Sequence, residues 1–155
     1  MHTLDELLAE SPIFAGLPPD QLTFLAGCGK NAVYEPGEYL FRAGEPADTF
    51  HLVRRGHVAI STHVAGRGDV TVDTADTGDL VGWGWLFEPY VWDVDARAME
   101  GAGVIAFDAA CMRGKFAGDD ALALALMTRF AHATIDHLQR TRLQLLDLYG
   151  HHPRD

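Results

Sequence analysis

Between Asn31 and Asp108 the chain is a succession of short apolar runs, rich in β-branched and aromatic residues, each broken after several positions by glycine, proline or aspartate. Runs this short, reversed this often, are the mark of antiparallel strands folded into a sandwich or barrel. The spacing predicts strands near 32–34, 39–41, 49–54, 57–63, 69–74, 80–81, 95–100 and 102–108. Alternation is clearest where Val58, Ile60 and Thr62 oppose His57, Ala59 and Ser61, so one face of that strand belongs to a core and the other does not.

Helical signals flank this region. Thr3 with Glu6 makes a capping box for a short helix over Leu4 to Leu8, stopped by Ser11-Pro12, and Pro18-Pro19-Asp20 opens a second that ends at Gly27 or Gly29. After Asp108 a brief helix is expected at 109–116, and Asp119-Asp120 then cap a long one reaching Tyr149. Leu124, Met127, Ala131, Thr134, Leu138, Thr141, Leu145 and Leu148 follow a three-four spacing along it. Such a stripe either packs on its own β-region or meets a partner helix; we read it as the seam of a parallel homodimer, with Leu124, Met127, Ala131, Leu138 and Leu145 at the interface. The expected organisation is one domain over 1–149, divided into a helical N-terminus (1–29), a β-roll (30–108) and C-terminal helices (109–149), with a tail at 150–155 whose His151-His152 pair is too short for a metal site.

A net charge of −10, from 22 acidic and 12 basic residues, repels a phosphate backbone and argues against nonspecific nucleic-acid binding. Met1 to Glu10 carries acids where a secretory signal needs a basic flank, and no run is long enough to span a bilayer, so a cytoplasmic location and no membrane partner are expected. Cys28 and Cys111, far apart and without metal-ligand spacing, read as reduced, packed thiols. His51, His57 and His63 lack an acidic ligand at cupin-type spacing, and His132 with Asp136 reads as a polar rim on the long helix. No catalytic residues and no metal ligands are assigned, and the chain reads as a non-enzyme.

Several local runs resemble one family. Pro12-Ile13-Phe14-Ala15-Gly16-Leu17 is similar to its N-terminal helix pair. The stretch Tyr34-Glu35-Pro36-Gly37-Glu38-Tyr39-Leu40-Phe41-Arg42-Ala43-Gly44-Glu45-Pro46-Ala47-Asp48 is similar to its first hairpin, and Phe50-His51-Leu52-Val53-Arg54-Arg55-Gly56-His57-Val58 to its next strand, glycine turn and strand. On these residues the chain from Leu8 to Tyr149 resembles the cyclic-nucleotide-binding superfamily, above all the effector domain of Crp/Fnr-type bacterial regulators. The resemblance implies an antiparallel β jelly-roll barrel with flanking helices and a long C-terminal dimerisation helix. It also implies a phosphate-binding cassette, beginning here at Gly78-Asp79-Leu80-Val81-Gly82, in which Asp79 would contact a ribose and the amides of a following short helix would receive a phosphate. Thr141 matches a base-contacting threonine of the family's dimer helix.

The cassette then departs from the family pattern. Its phosphate-binding arginine falls near Trp92 and the hydroxyl partner near Asp93, while Glu88, Asp93 and Asp95 add negative charge. Arg97 is the remaining arginine that could turn inward to a phosphate. Cyclic AMP or cyclic GMP is therefore expected to bind weakly. Trp83, Trp85, Phe87, Tyr90 and Trp92 make the cassette aromatic: either they line a pocket or docking surface, with Trp83 and Trp92 towards a ligand and Trp85, Phe87 and Tyr90 towards a partner, or they fill the barrel. About six residues follow Tyr149, too few for the family's DNA-binding domain, so no direct DNA binding is expected of this chain. The leading reading is a stand-alone dimeric regulatory module that senses a small effector or docks a protein; the alternative is a ligand-free interaction adaptor working through the aromatic cassette.

Overall fold

A computed structural model describes the backbone of residues 3–150 and the side chains through Leu148. The expected tail beyond Gly150 lies outside the described residues. In chain order the elements are α1 (Leu4–Glu10), α2 (Pro19–Gly27), β1 (Gly29–Tyr34), β2 (Tyr39–Phe41), β3 (Thr49–Arg55), β4 (Val58–Val64), β5 (Gly68–Ala75), β6 (Asp95–Ala98), β7 (Ala102–Asp108), α3 (Ala109–Gly118) and α4 (Asp120–Gly150). Local chemistry sets several boundaries. The Thr3–Glu6 capping box forms, Asp108 accepts from the Cys111 amide to start α3, and Asp119 accepts from the Leu122 amide to start α4.

The strands hydrogen-bond as two separate antiparallel sheets, β1-β7-β3 and β2-β6-β4-β5, rather than as one closed barrel. Leu80, expected in a strand, contributes only an isolated bridge to Leu52. Strand parity decides what β6 buries: Ala96 and Ala98 have no exposure while Arg97 between them faces outward. Gly37, Gly44 and Gly56 all take positive φ at strand reversals. At Gly56 glycine is obligatory on two counts, since a Cβ there would lie 2.6 Å from the Gly101 carbonyl oxygen.

Aromatic rings hold the layers together. Phe50 of β3 stacks on Trp85 at 3.8 Å and on Phe107 of β7 at 4.8 Å. Phe130 of α4 meets Trp85 edge-on at 5.6 Å and Phe14 at 6.2 Å. Only the first half of α4 is anchored this way, through Leu122, Leu126 and Phe130. The predicted seam residues Leu124, Met127, Ala131, Leu138 and Leu145 all lie exposed on the single chain. No helix of the described residues is long and apolar enough to cross a membrane.

The cysteines correct the sequence reading. Cys28, at the C-cap of α2, and Cys111, in the first turn of α3, are joined as a disulfide with Cα atoms 6.1 Å apart, within the range a disulfide spans. β7 returns alongside β1 and delivers the start of α3 to the end of α2; a separation of 83 residues concealed this. Thiol titration of the denatured, unreduced chain should find no free cysteine. Loop-entropy arguments for a crosslink closing so long a loop predict that a Cys28→Ser, Cys111→Ser double variant loses about 4–5 kcal/mol in denaturant unfolding.

Candidate functional site

The segment 76–93, between β5 and β6, wraps across the open edge between the two sheets and α4. Its first part is locked by backbone bonds: the Gly78 amide donates to Val53, Asp79 to Asp76 and Val81 to His51. The amides at the start of the cassette are thus spent on backbone carbonyls. The expected short helix after Gly82 is a series of turns. Gly82 has φ +78, and a Cβ on it would stand 2.7 Å from the Trp92 ring, so close packing as well as backbone geometry demands glycine.

Between this segment and α4 lies a cavity of about 680 Å³, within the usual range for a small-molecule site. Asp79, Leu80 and Gly82 line it from the start of the cassette, Trp83, Phe87, Glu88, Trp92 and Asp93 from its turns, Asp73 from β5, and Ala133, Thr134 and His137 from α4. Gly78 is turned to the far side of Asp79, facing α1 and Arg129, and Val81 is fully buried in the core.

Asp79 is not free. One carboxylate oxygen accepts from Arg140 at 2.6 Å and the other from the Asp76 amide at 2.9 Å, with His137 Nδ1 3.7 Å away. The opposite nitrogen of His137 lies 2.6 Å from Asp73. The hydrogen bond that Arg140 donates to Asp79 raises the Arg140 pKa above its usual value. Two residues one turn apart on α4 thus latch the helix to two acids of the cavity wall. This latch was missed in the sequence because nothing there places Asp73 opposite α4.

Arg97 is not a phosphate ligand in this geometry. Its side chain lies on the outer face of β6, where Nε donates to the Gly37 carbonyl at 3.0 Å and the guanidinium covers Tyr39. Thr141 is likewise outside the cavity, its hydroxyl donating to the His137 carbonyl one turn back. Of the three acids singled out, Glu88 and Asp93 line the cavity, but Asp95 accepts from the Ala43 amide and serves a turn.

The aromatic cassette divides. Trp85 has no exposure, so its placement on a docking surface is corrected: it is core, with its carbonyl gripped by Arg113 at 2.7 Å. Arg113 also covers the Tyr90 ring at 4.1 Å. Trp92 is 3% exposed and stacks one face on Phe41 at 3.8 Å while still bordering the cavity. Trp83 is half-buried, and Phe87 stands 64% exposed at the cavity mouth. His57, His63 and His132 each pair with a single aspartate, Asp76, Asp69 and Asp136, and among the described residues no group of three metal-ligating side chains occurs.

A family model described as cyclic nucleotide-binding domain matches residues 32–119, more than half of the chain. No curated protein sequence matches. Among solved structures, a protein of Geobacter metallireducens GS-15, assigned to cyclic nucleotide binding by its name, superposes with a TM-score of 0.79 at 25% identity, covering 89% of this chain and 99% of that one. The sensor domain of the transcriptional regulator DNR from Pseudomonas aeruginosa gives 0.67 at 22% identity, covering 83% and 91%. A regulatory subunit of a cAMP-independent protein kinase A from Trypanosoma cruzi bound to guanosine gives 0.62 at 20% identity, covering 89% and 44%.

Two predictions come from the buried rings. Trp85→Ala should cost about 3–5 kcal/mol in chemical denaturation, against under about 0.5 kcal/mol for Phe87→Ala, because only the former opens a core cavity. Burial pushes His51 down from 6.5 to about 4, its Nδ1 having no partner. The unfolded chain therefore binds a proton that the native state refuses, and stability falls as pH drops from 6.5 towards 4, by about 3 kcal/mol in full. Urea titrations of His51→Leu should show a flatter pH dependence across that window than the parent.

Proposed function

The chain belongs to the cyclic nucleotide-binding domain family, and on that premise we propose that it works as a dimeric sensor module, regulatory rather than catalytic, whose effector occupies the cavity between the cassette and α4. One observation carries this reading: the turn of α4 that lines the cavity, around Ala133 and His137, is continuous with the turn latched to Asp73 and Asp79. A molecule entering the cavity contacts the acids that hold the helix, so occupancy and helix position are linked, as an effector that shifts a two-state element requires.

Cyclic AMP and cyclic GMP, the family's namesake class of ligands, are disfavoured as tight effectors. Among the described residues no arginine or lysine lines the cavity, Asp79 is committed to Arg140, and Glu88 and Asp93 oppose an anion. The trypanosome subunit binds guanosine, a nucleoside without a phosphate, on the same fold. In the dimer the exposed face of α4, including Leu138 and Leu145, would pair with its counterpart and carry the change in helix position to the second copy. Phe87, the most exposed ring of the cassette, is the natural contact for a protein partner that reads the state of the cavity.

Ligand at a hundredfold excess over its Kd adds about 2.7 kcal/mol to stability. Millimolar cyclic AMP or cyclic GMP is expected to give far less in thermal melts; a full shift would restore the nucleotide reading. The latch is tested by Arg140→Ala. Amide exchange in α4 beyond Thr134 should quicken while global stability changes by under about 1 kcal/mol, since Arg140 is half exposed. Unchanged exchange in that half of the helix would remove the coupling on which the sensor reading stands.

A further inference from the structure

The cavity's own chemistry names the class of molecule it takes, given that it is the effector site just proposed. Four carboxylates border it, from Asp73, Asp79, Glu88 and Asp93, and among the described residues His137 is its one basic side chain. The nearby basic side chains are already bonded to two of the acids, His137 to Asp73 and Arg140 to Asp79. Among the described residues, Glu88 and Asp93 have no hydrogen-bond or ion-pair partner. An acid pair left uncompensated on the surface is unremarkable by itself. Here it borders a half-open cleft of about 680 Å³ whose wall includes the half-buried ring of Trp83 and, at its mouth, the 64% exposed ring of Phe87.

Aromatic faces carry negative potential and attract a cation within about 6 Å of the ring centre. A large ring kept in water at the edge of a cavity has apolar area to cover, and the area is flat. Carboxylates around a low-dielectric cleft raise the local concentration of cations and lower that of anions, and the net charge of −10 acts in the same direction over the whole surface. We propose that the ligand of this cavity is a flat organic cation, a heteroaromatic ammonium or amidinium of one or two rings, seated against Trp83 and Phe87 with its charge towards Glu88 and Asp93.

Three related probes separate the possibilities: N-methylquinolinium as the cation, quinoline at pH 8 as its neutral counterpart and quinoline-2-carboxylate as the anion, with guanosine and cyclic AMP alongside. Binding to the full chain is read by tryptophan fluorescence and calorimetry. N-methylquinolinium is expected to saturate and to bind about tenfold or more tighter than quinoline, with the carboxylate and cyclic AMP weaker still. Its affinity should fall several-fold when ionic strength is raised. A Glu88→Gln, Asp93→Asn variant, altered only at exposed positions, should lose about tenfold for the cation and little for quinoline. Phe87→Ala should weaken both.

A cation that binds no tighter than its neutral or anionic counterparts, or that ignores the double substitution, overturns the ligand class. Tighter binding of guanosine or cyclic AMP overturns the class while leaving an effector cavity in place. Failure of every probe also overturns the class; the effector reading itself is then decided by the α4 exchange measurement on Arg140→Ala, which needs no ligand.

Discussion

Phe50 is the ring on which the layers converge. It stacks on Phe107 within its own sheet, on Trp85 of the cassette, and meets Phe130 of α4 edge-on at 6.5 Å. Each contact joins segments with different natural fates: a strand, an irregular loop and a helix that would be only marginally stable alone. Burial of flat rings is an economical way to fix such a junction, because each removes much apolar area from water while freezing few torsions. With Trp85 seated on Phe50, the rest of the cassette has little choice. Arg113 clamps the Trp85 carbonyl, Trp92 falls back onto Phe41, and the turns between them span the mouth of the cavity.

Charge then determines what that mouth can do. In a phosphate-binding cassette an arginine and free amides face the ligand; here the comparable space presents carboxylates, and the amides of Gly78, Asp79 and Val81 are bonded to backbone carbonyls. The basic side chains of α4 are not free for a ligand, because His137 is bonded to Asp73 and Arg140 to Asp79. The acids that attach the helix, Asp73 and Asp79, and those left unpaired, Glu88 and Asp93, border one cavity, which is a condition for occupancy and helix attachment to influence each other.

Much of the scaffold was legible because its signals are local. The capping box at Thr3 and the positive-φ glycines at strand reversals each depend on a few neighbouring residues. The alternation expected in β4 does not appear as burial, since Val58 and Ala59 are both buried. The resemblance of the 34–58 run fixed the family, and the family model confirms it. The site was harder to read. Trp85 and Phe87 sit two residues apart in one aromatic stretch, yet one has no exposure and the other 64%, because turns rather than a strand or helix aim them. Arg97, a candidate that had to turn inward to reach a phosphate, is held outward by parity: its neighbours Ala96 and Ala98 take the inward positions of β6. The disulfide and the Asp73–His137 pair were out of reach because both are made by topology, across 83 and 64 residues.

The long helix shows why those distant pairs matter. With 31 residues at the rise of an α-helix, α4 extends about 46 Å, but its buried residues end at Phe130. Beyond that point Ile135, Leu138, Leu143 and Leu146 are exposed, so burial on the β-sheets does not hold the distal half. What joins it to the domain is polar: His137 to Asp73, and Arg140 to Asp79. Polar contacts at a partly solvated surface contribute little to global stability, which makes them unsuited to building a fold and suited to changing state. A helix anchored by rings at one end and by polar pairs at the other holds its distal half through contacts separate from the core. Asp73, Asp79 and His137 of those pairs line the cavity, so a ligand there meets the contacts that attach the distal half.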